Sequence, residues 1–170
     1  CFSNCKILEE IDLTGFTISS APSMNGMFSG CTLLTTIKGL NTLNTSSVTN
    51  MATMFNGVGC TTLDVSSFNT SNVTLMGNMF SNCEKLTHIT CGNNFTLGKV
   101  TNMYGMFDLT RNLDDETMNS ILHIMTTTTS SYTGNKKLTA IGFSTSYYPA
   151  SRIQALSNYQ EFIDAGWTIS

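Results

Sequence analysis

Four short segments with the pattern Met-x-x-Met-Phe recur along the chain at nearly even intervals. Each segment places apolar side chains at positions i, i+3 and i+4, and the segments are Met24–Phe28, Met51–Phe55, Met76–Phe80 and Met103–Phe107. Their closing phenylalanines are 27, 25 and 27 residues apart. A period of this length is typical of repeat proteins, in which each repeat buries its apolar face only by stacking on its neighbours.

A second set of apolar positions keeps a constant phase with these segments. Each repeat carries a final apolar residue that is followed five residues later by alanine or valine, in the pairs Phe16 and Ala21, Leu43 and Val48, Phe68 and Val73, and Phe95 and Val100. Three repeats open with a cysteine, at Cys5, Cys31 and Cys83, and we assign Gly57 to that slot in the remaining repeat. The constant phase indicates that one structural unit is repeated.

Each unit is expected to contain one short strand and one helical turn. Alternation of apolar and polar residues predicts strands of about three to five residues that pair in parallel, at Ile11–Leu13, Ile37–Gly39, Leu63–Val65 and Ile89–Cys91. The spacing in Met51–Phe55 predicts one turn of α- or 3₁₀-helix, with Thr49 and Asn50 as its caps. The pattern therefore predicts an α/β solenoid over residues 1–110.

Residues 111–170 depart from the repeat and are expected to form an α/β C-terminal cap on the last repeat, since a solenoid must cover its final apolar face. The predicted elements are a helix at Asp114–Met125, a loop at Thr126–Ser131, a strand at Lys137–Phe143, a helix at Pro149–Ala165 with Ser151 as a possible cap, and a last strand at Trp167–Ile169. Gly166 is expected to end the second helix.

Composition narrows the classes of function. Charged residues make up only 11 % of the 170-residue chain and the net charge is −3, so the basic surface that nucleic acid requires is not expected. The sequence contains neither an apolar run long enough to span a membrane nor the apolar core of a secretory signal. Cys1-Phe2 fits the Met-Phe slot 26 residues before Phe28. This phase favours a fragment or processed end of a longer protein, and a lipidated Cys1 is the alternative.

The combined motif Met-Phe-x-x-Cys-x-x-Leu-x-x-Ile-Asp-Leu-x-x-Phe-Asn-Thr-Ser-x-Val-Thr-Asn-Met is assembled from residues 27–51, 1–16 and 68–80. It resembles the BspA-type leucine-rich-repeat surface proteins of bacteria over about residues 1–110. The resemblance implies a leucine-rich-repeat-like right-handed coil in a secreted or wall-attached protein. Proteins of this family often adhere to host or bacterial partners, and the resemblance does not imply an enzyme.

The sulfur-containing residues have mainly a structural interpretation. The methionines recur beside phenylalanine in every repeat, so we expect core residues rather than a copper or redox site. For the six cysteines, buried thiols, disulfides between neighbouring repeats and a metal site are three alternatives, of which buried thiols are favoured. No cofactor or metal is expected.

The outward positions of the predicted strands form the candidate partner-binding face. Its eight residues are Glu10, Asp12, Thr36, Lys38, Thr62, Asp64, His88 and Thr90. An inert solvated face is the alternative. Tyr147 and Tyr148, with Tyr132, could add an aromatic contact patch on the cap, or could pack inside it.

The sequence offers little support for catalysis. Serine, histidine and aspartate are present, but no nucleophile motif such as Gly-x-Ser-x-Gly and no glycine-rich phosphate loop occurs. Asp114 and Asp115 are expected to start a helix. We therefore predict a non-catalytic extracellular module on the bacterial cell surface that binds a protein or a glycan. A structural spacer is the alternative, and a glycan-acting enzyme ranks third.

Overall fold

The computed structural model describes residues 1–17, 21–128 and 136–169. One strand occurs in each repeat: β1 (Glu10–Asp12), β2 (Thr36–Lys38), β3 (Thr62–Val65) and β4 (His88–Cys91). Helices α1 (Asp115–Thr128), α2 (Ala150–Gln154) and α3 (Tyr159–Asp164) follow, and two 3₁₀ segments lie at Leu40–Thr42 and Leu138–Ile141. The predicted strand positions and lengths are confirmed to within a residue.

The phenylalanines that close the repeated segments stack in one buried column. Ring centroids are 5.7 Å apart for Phe28 and Phe55, 5.6 Å for Phe55 and Phe80, and 5.5 Å for Phe80 and Phe107. The rings are within 14° of parallel, and each of these residues is at most 1 % exposed. The predicted alignment of these four side chains is therefore confirmed.

Backbone hydrogen bonds join the four Met-x-x-Met-Phe segments side by side. The N–H groups of Phe28, Phe55 and Phe80 each donate to the second methionine of the following segment, at 2.8 to 2.9 Å. Parallel bridges also link Ser23, Asn50, Leu75 and Asn102 in succession. We call this continuous side, made of residues 23–28, 50–55, 75–80 and 102–107, the turn wall.

The repeated segments are turns rather than the predicted helical turns. In each one the second methionine donates its N–H to the first, which closes a four-residue turn. The residue before the second methionine has a positive φ, at Gly26 (61°), Thr53 (55°), Asn78 (54°) and Gly105 (62°). A positive φ at this position is typical of a type II turn and stops a helix from forming. Asn50 accepts the N–H of Ala52 and so supports this turn instead of capping a helix.

The four strands form two separate parallel pairs, which we call the strand wall. Register aligns Ile11 of β1 with Ile37 of β2, and Leu63 of β3 with Ile89 of β4. The prediction that every successive strand pairs is therefore wrong between β2 and β3.

The segment that leads from the turn wall to the strand, which we call the corner, is shorter in the third repeat, where the gap occurs. Val58, and not the predicted Gly57, occupies the cysteine slot, because its N–H donates to Phe55 as that of Cys31 donates to Phe28. Phe55 precedes β3 by seven residues, whereas eight separate the corresponding phenylalanine from the strand in the other repeats. The shortened corner presses against its neighbour: a Cβ on Gly59 would lie 2.4 Å from the carbonyl oxygen of Thr32. We infer that this corner is too short to bring β3 beside β2.

The cap region extends the turn wall by one more layer. The ring of Phe143 stacks on Phe107 with centroids 4.8 Å apart, and Phe107 donates its N–H to the carbonyl of Ile141. The predicted strand at Lys137–Phe143 is wrong, because this segment contains the 3₁₀ helix and reverses at Gly142 (φ 99°).

The remaining cap predictions are confirmed in part. Helix α1 starts one residue after the predicted position and runs to Thr128, so the predicted loop at Thr126–Ser131 is helical up to that residue, and its last three residues lie outside the described part of the chain. The single helix predicted at Pro149–Ala165 is two helices, and Pro149 rather than Ser151 stands at the start of α2.

The segment between α2 and α3 is in contact with α1. Ser157 and Asn158, between α2 and α3, bind Asn119 of α1 through their polar groups. Gly166 follows α3 with φ 84°, as predicted. The predicted last strand is reduced to one bridge, between Thr168 and Lys137.

Stacked rings, a continuous turn wall and parallel strand pairs support our proposal of an α/β solenoid with a C-terminal cap. The right-handed sense of the coil and the division into residues 1–110 and 111–170 stay predictions.

Candidate binding face

The eight predicted face residues lie at outward positions of the strand wall, but in two groups rather than two unbroken columns. Register pairs Glu10 with Thr36 and Asp12 with Lys38 in the first group. The second group pairs Thr62 with His88 and Asp64 with Thr90. Thr36 and His88 are half-buried, and the other six are exposed.

Charges in the first group are engaged with each other or with the backbone. Lys38 Nζ lies 2.5 Å from Glu10 Oε1, and the hydrogen bond and charge of Glu10 raise the pKa of Lys38. Asp12 Oδ1 accepts the N–H of Thr14 at 2.8 Å, and hydrogen bonds from Thr14 lower the pKa of Asp12. Both members of the ion pair are about half exposed, so its contribution to stability is expected to be small.

An open groove of about 290 Å³ separates the two groups where β2 and β3 fail to pair. Its polar lining includes Thr36, Thr62 and Asp64 from the predicted face, together with Asn41 from the 3₁₀ segment after β2. Asn41 Nδ2 donates to Asp64 Oδ2 at 3.0 Å, across the groove. The polar groups of the face therefore converge at the irregular third repeat. Sequence patterns indicated the columns but not this convergence.

Asp64 is held in position by both of its oxygens. Oδ1 accepts the N–H of Ser66 at 3.0 Å, as Asp12 does with Thr14 in the first repeat. Burial raises the pKa of Asp64, but hydrogen bonds from Ser66 and Asn41 outweigh it, so that the net shift is downward. The carboxylate is therefore a fixed acceptor on the exposed side of the groove.

His88 links the second group to the cap. Its Nδ1 lies 2.7 Å from Asp114 Oδ2, and Asp114 Oδ1 accepts the N–H of Thr117 in the first turn of α1. The Thr117 hydroxyl in turn accepts the N–H of Ile89, so the start of α1 covers the outer edge of β4. The prediction that Asp114 marks a helix start is confirmed. Its partnership with His88 was missed, although the two residues are 26 positions apart, the same step that separates the preceding face residues.

The buried thiols point to backbone carbonyls of the preceding repeat. Cys31 Sγ lies 2.9 Å from the oxygen of Phe2, Cys60 Sγ 3.2 Å from that of Leu34, and Cys83 Sγ 3.0 Å from that of Phe55. Burial raises the pKa of Cys60 to about 11 and that of Cys83 to about 12, although hydrogen bonds partly oppose it. These thiols pack as small apolar side chains and are poor nucleophiles.

Aromatic residues of the cap mostly face inward. Tyr148 is fully buried, and its hydroxyl donates to the carbonyl of Thr110 and accepts the N–H of Leu113. Tyr147 is half-buried beneath the guanidinium of Arg111. The interpretation of Tyr148 as part of an exposed patch is therefore wrong, and Tyr132 lies outside the described residues.

The described part of the chain gathers no three histidine, cysteine or acidic side chains into a cluster that could hold a metal ion. Within residues 1–17, 21–128 and 136–169, none of the helices has the length and apolar character needed to cross a bilayer.

A family model described as "Mycoplasma protein of unknown function, DUF285" matches residues 1–121. The chain belongs to this family. The match spans all four repeats of this DUF285 chain and the first half of α1. No curated protein and no solved structure matches the chain. The description of the family names no activity, and the resemblance to BspA-type proteins stays a prediction.

Proposed function

We propose that this DUF285 chain is a non-catalytic binding module that recognises a protein partner through the strand wall. The observation that carries the proposal is the groove between β2 and β3, where fixed polar groups converge on an otherwise regular surface. Such a module would act outside the cell, at the bacterial surface. A glycan is the alternative ligand at the same face.

The groove combines a rigid frame with exposed polar groups. Its sides are short strands that are each paired on their far edge, β2 with β1 and β3 with β4. Asp64 and Asn41 are oriented by the hydrogen bonds described above, so they lose little conformational freedom when a partner binds. Leu63 and Leu40 supply a buried apolar floor beneath them.

Charge on the face favours a partner with mixed charge over one with a single strong sign. Glu10 and Asp12 stand beside Lys38 in the first group, and Asp64 lines the groove in the next repeat. Complementary charges on a partner would then fix its register along the repeats rather than supply most of the affinity.

Binding to immobilised matrix proteins and to a glycan array tests this proposal. The variants Asp64→Ala and Asn41→Ala remove the fixed polar groups of the groove, and each is expected to weaken binding about tenfold or more if the residue is central to the interface. Asp12→Ala and Lys38→Ala lie further from the groove and are expected to have smaller effects.

Glu84→Ala and Lys85→Ala are the matched controls, because both are exposed charged residues of the fourth repeat that line a separate surface groove. Binding that is weakened by the control pair and unaffected by the groove variants would contradict the proposal. A chain that binds no protein and no glycan, yet folds stably, would favour the alternative of a structural spacer that projects another domain.

A further inference from the structure

Two cysteines of neighbouring repeats, Cys5 and Cys31, converge on one backbone atom. Each stands three residues after a phenylalanine of the ring column, Phe2 and Phe28. The carbonyl oxygen of Phe2 lies 3.2 Å from the backbone nitrogen of Cys5 and 2.9 Å from the Sγ atom of Cys31. The Cys31 thiol therefore lies directly against the turn that carries Cys5.

Backbone hydrogen bonds on both sides of the pair fix the separation of the two repeats. Asn4 donates to Ser29 at 2.7 Å, and Thr35 donates to Glu9 at 2.9 Å. Chains joined in this way run about 4.8 Å apart, and a disulfide needs Cα atoms about 4.4–6.8 Å apart. The expected spacing of the two repeats therefore falls within the Cα range of a disulfide.

We propose that Cys5 and Cys31 are a modification site at which a disulfide forms by exchange with a low-molecular-weight disulfide such as oxidised glutathione. In the first step the Cys5 thiolate attacks the small disulfide, which gives a mixed disulfide and releases one small thiol. The Cys31 thiolate then attacks the sulfur of Cys5 and displaces the second small thiol. Two protein thiols and one small disulfide thus become one protein disulfide and two small thiols.

Accessibility sets the order of these steps. Cys5 is half-exposed, whereas Cys31 is fully buried. Burial also raises the pKa of the Cys31 thiol, which makes it a poor nucleophile toward reagents in solution, so Cys31 is expected to react only in the second, intramolecular step, where its position against the turn of Cys5 offsets its low thiolate fraction.

Other cysteines are poorly placed for the same reaction. The next repeat has Val58 in the equivalent slot, which separates Cys31 from Cys83 along the column. Cys60 and Cys83 are at most 1 % exposed, so a small disulfide cannot reach either one in the folded chain. Cys1 is exposed and close in sequence to Cys5, and the experiment below removes it.

Mass spectrometry of the Cys1→Ser chain, incubated with oxidised glutathione in the native state, tests the proposal. The intact mass is expected to fall by about 2 Da, since two hydrogens leave with the small thiols. Trypsin cleaves after Lys6 and Lys38, so a new peptide that joins residues 1–6 to residues 7–38 is expected, and this peptide should disappear on reduction.

Cys31→Val is the matched control, because valine already fills this slot in the third repeat. This variant should fold, should lack the crosslinked peptide and should retain glutathione on Cys5. Cys83→Val should leave the crosslink unchanged. Native Cys1→Ser chain that carries only glutathione on Cys5, or that forms disulfide-linked dimers, would overturn the proposal.

A second measurement separates the crosslink from a merely reactive Cys5. Amide hydrogen exchange in residues 2–8 is expected to slow by about tenfold in the oxidised chain, because the bond ties the repeat that carries Cys5 to its neighbour. Unchanged exchange in an oxidised chain that carries the crosslink would contradict the expected coupling of these repeats.

Discussion

The turn wall and the strand wall are built from the same four repeats, yet only the turn wall is continuous. Bridges join all four repeats at Ser23, Asn50, Leu75 and Asn102, whereas the strand wall divides between β2 and β3. The period does not explain this difference. Bridge positions on the turn wall step unevenly by 27, 25 and 27 residues, while the strands that divide begin at even steps of 26.

We attribute the division of the strand wall to the length of the corner that connects the two walls. The corner from Phe55 to Thr62 is one residue shorter than its counterparts, and Gly59 is pressed against Thr32 there. Pairing of neighbouring repeats thus depends on the path length of each corner, and an even overall period does not guarantee it. The same defect opens the groove on which the proposed function depends.

Removal of one ring from the turn wall is expected to have the largest effect. Phe80→Ala should lower the free energy of unfolding by about 3–5 kcal/mol, since the ring is 1 % exposed and stacks on both neighbours. Urea denaturation measures the change. Phe16→Ala is the control, because that side chain is 46 % exposed and should cost less than about 1 kcal/mol. Equal losses for the two variants would contradict a buried column.

Substitution at positions of positive φ in the turn wall is expected to have the next largest effect on stability. Gly105→Ala should cost about 1–2 kcal/mol, because its φ is 62° and the new Cβ would lie 2.6 Å from Asn78 Oδ1. Gly26→Ala is the matched control with a similar φ of 61° but no contact closer than 3.5 Å, and should cost less. Thr53→Gly should stabilise the chain by up to about 1 kcal/mol. Thermal unfolding of the three variants should therefore rank them in that order.

Insertion of one residue into the short corner before β3 directly tests whether corner length separates β2 from β3. Replacement of Gly59 by Thr-Leu copies the second repeat and should let β3 pair with β2. Each new backbone hydrogen bond is worth about 1 kcal/mol, so amide exchange in β2 and β3 should slow by about tenfold. Insertion of one residue between Glu84 and Lys85 is the converse control, since it lengthens an intact corner and should speed exchange in β4. Unchanged exchange in the first variant would rule out corner length as the cause.

The smallest expected effect is the pH-dependent contribution of Asp114, beside β4, to the free energy of unfolding. Burial raises the pKa of Asp114, but hydrogen bonds from Thr117 and His88 outweigh it and lower the pKa overall. The charged carboxylate therefore stabilises the fold above its unfolded pKa of about 3.9, and that stability is lost as the pH falls through the folded pKa.

Asp114→Asn measures this contribution. At neutral pH it should cost about 0.5–1 kcal/mol, a small value because the carboxylate side chain is 43 % exposed. The difference from the parent chain should shrink as the pH is lowered toward about 2. A difference that stays undiminished at about pH 2 would show that Asp114 is not the charged partner in this contact.

The turns in the repeated segments could have been predicted from the sequence. Glycine or asparagine at Gly26, Asn78 and Gly105 indicated a positive φ before the second methionine, but the i, i+3, i+4 spacing was interpreted as a helical turn. The candidate face was located at the correct register positions, whereas its division required the position of β3. Asn41 was missed because a polar residue after a strand resembles any other loop residue until the groove brings it beside Asp64.

The sequence alone determined the repeated unit, the ring column and the position of each strand, because burial of a regularly spaced side chain leaves a direct record in residue type. Tertiary structure alone decided that β2 and β3 separate, that Phe143 from the cap extends the column, and that His88 reaches Asp114. The first outcome involves a corner whose length matters only in relation to those of its neighbours, and the other two depend on contacts between residues at least 26 positions apart, so the residues of a single repeat do not decide them.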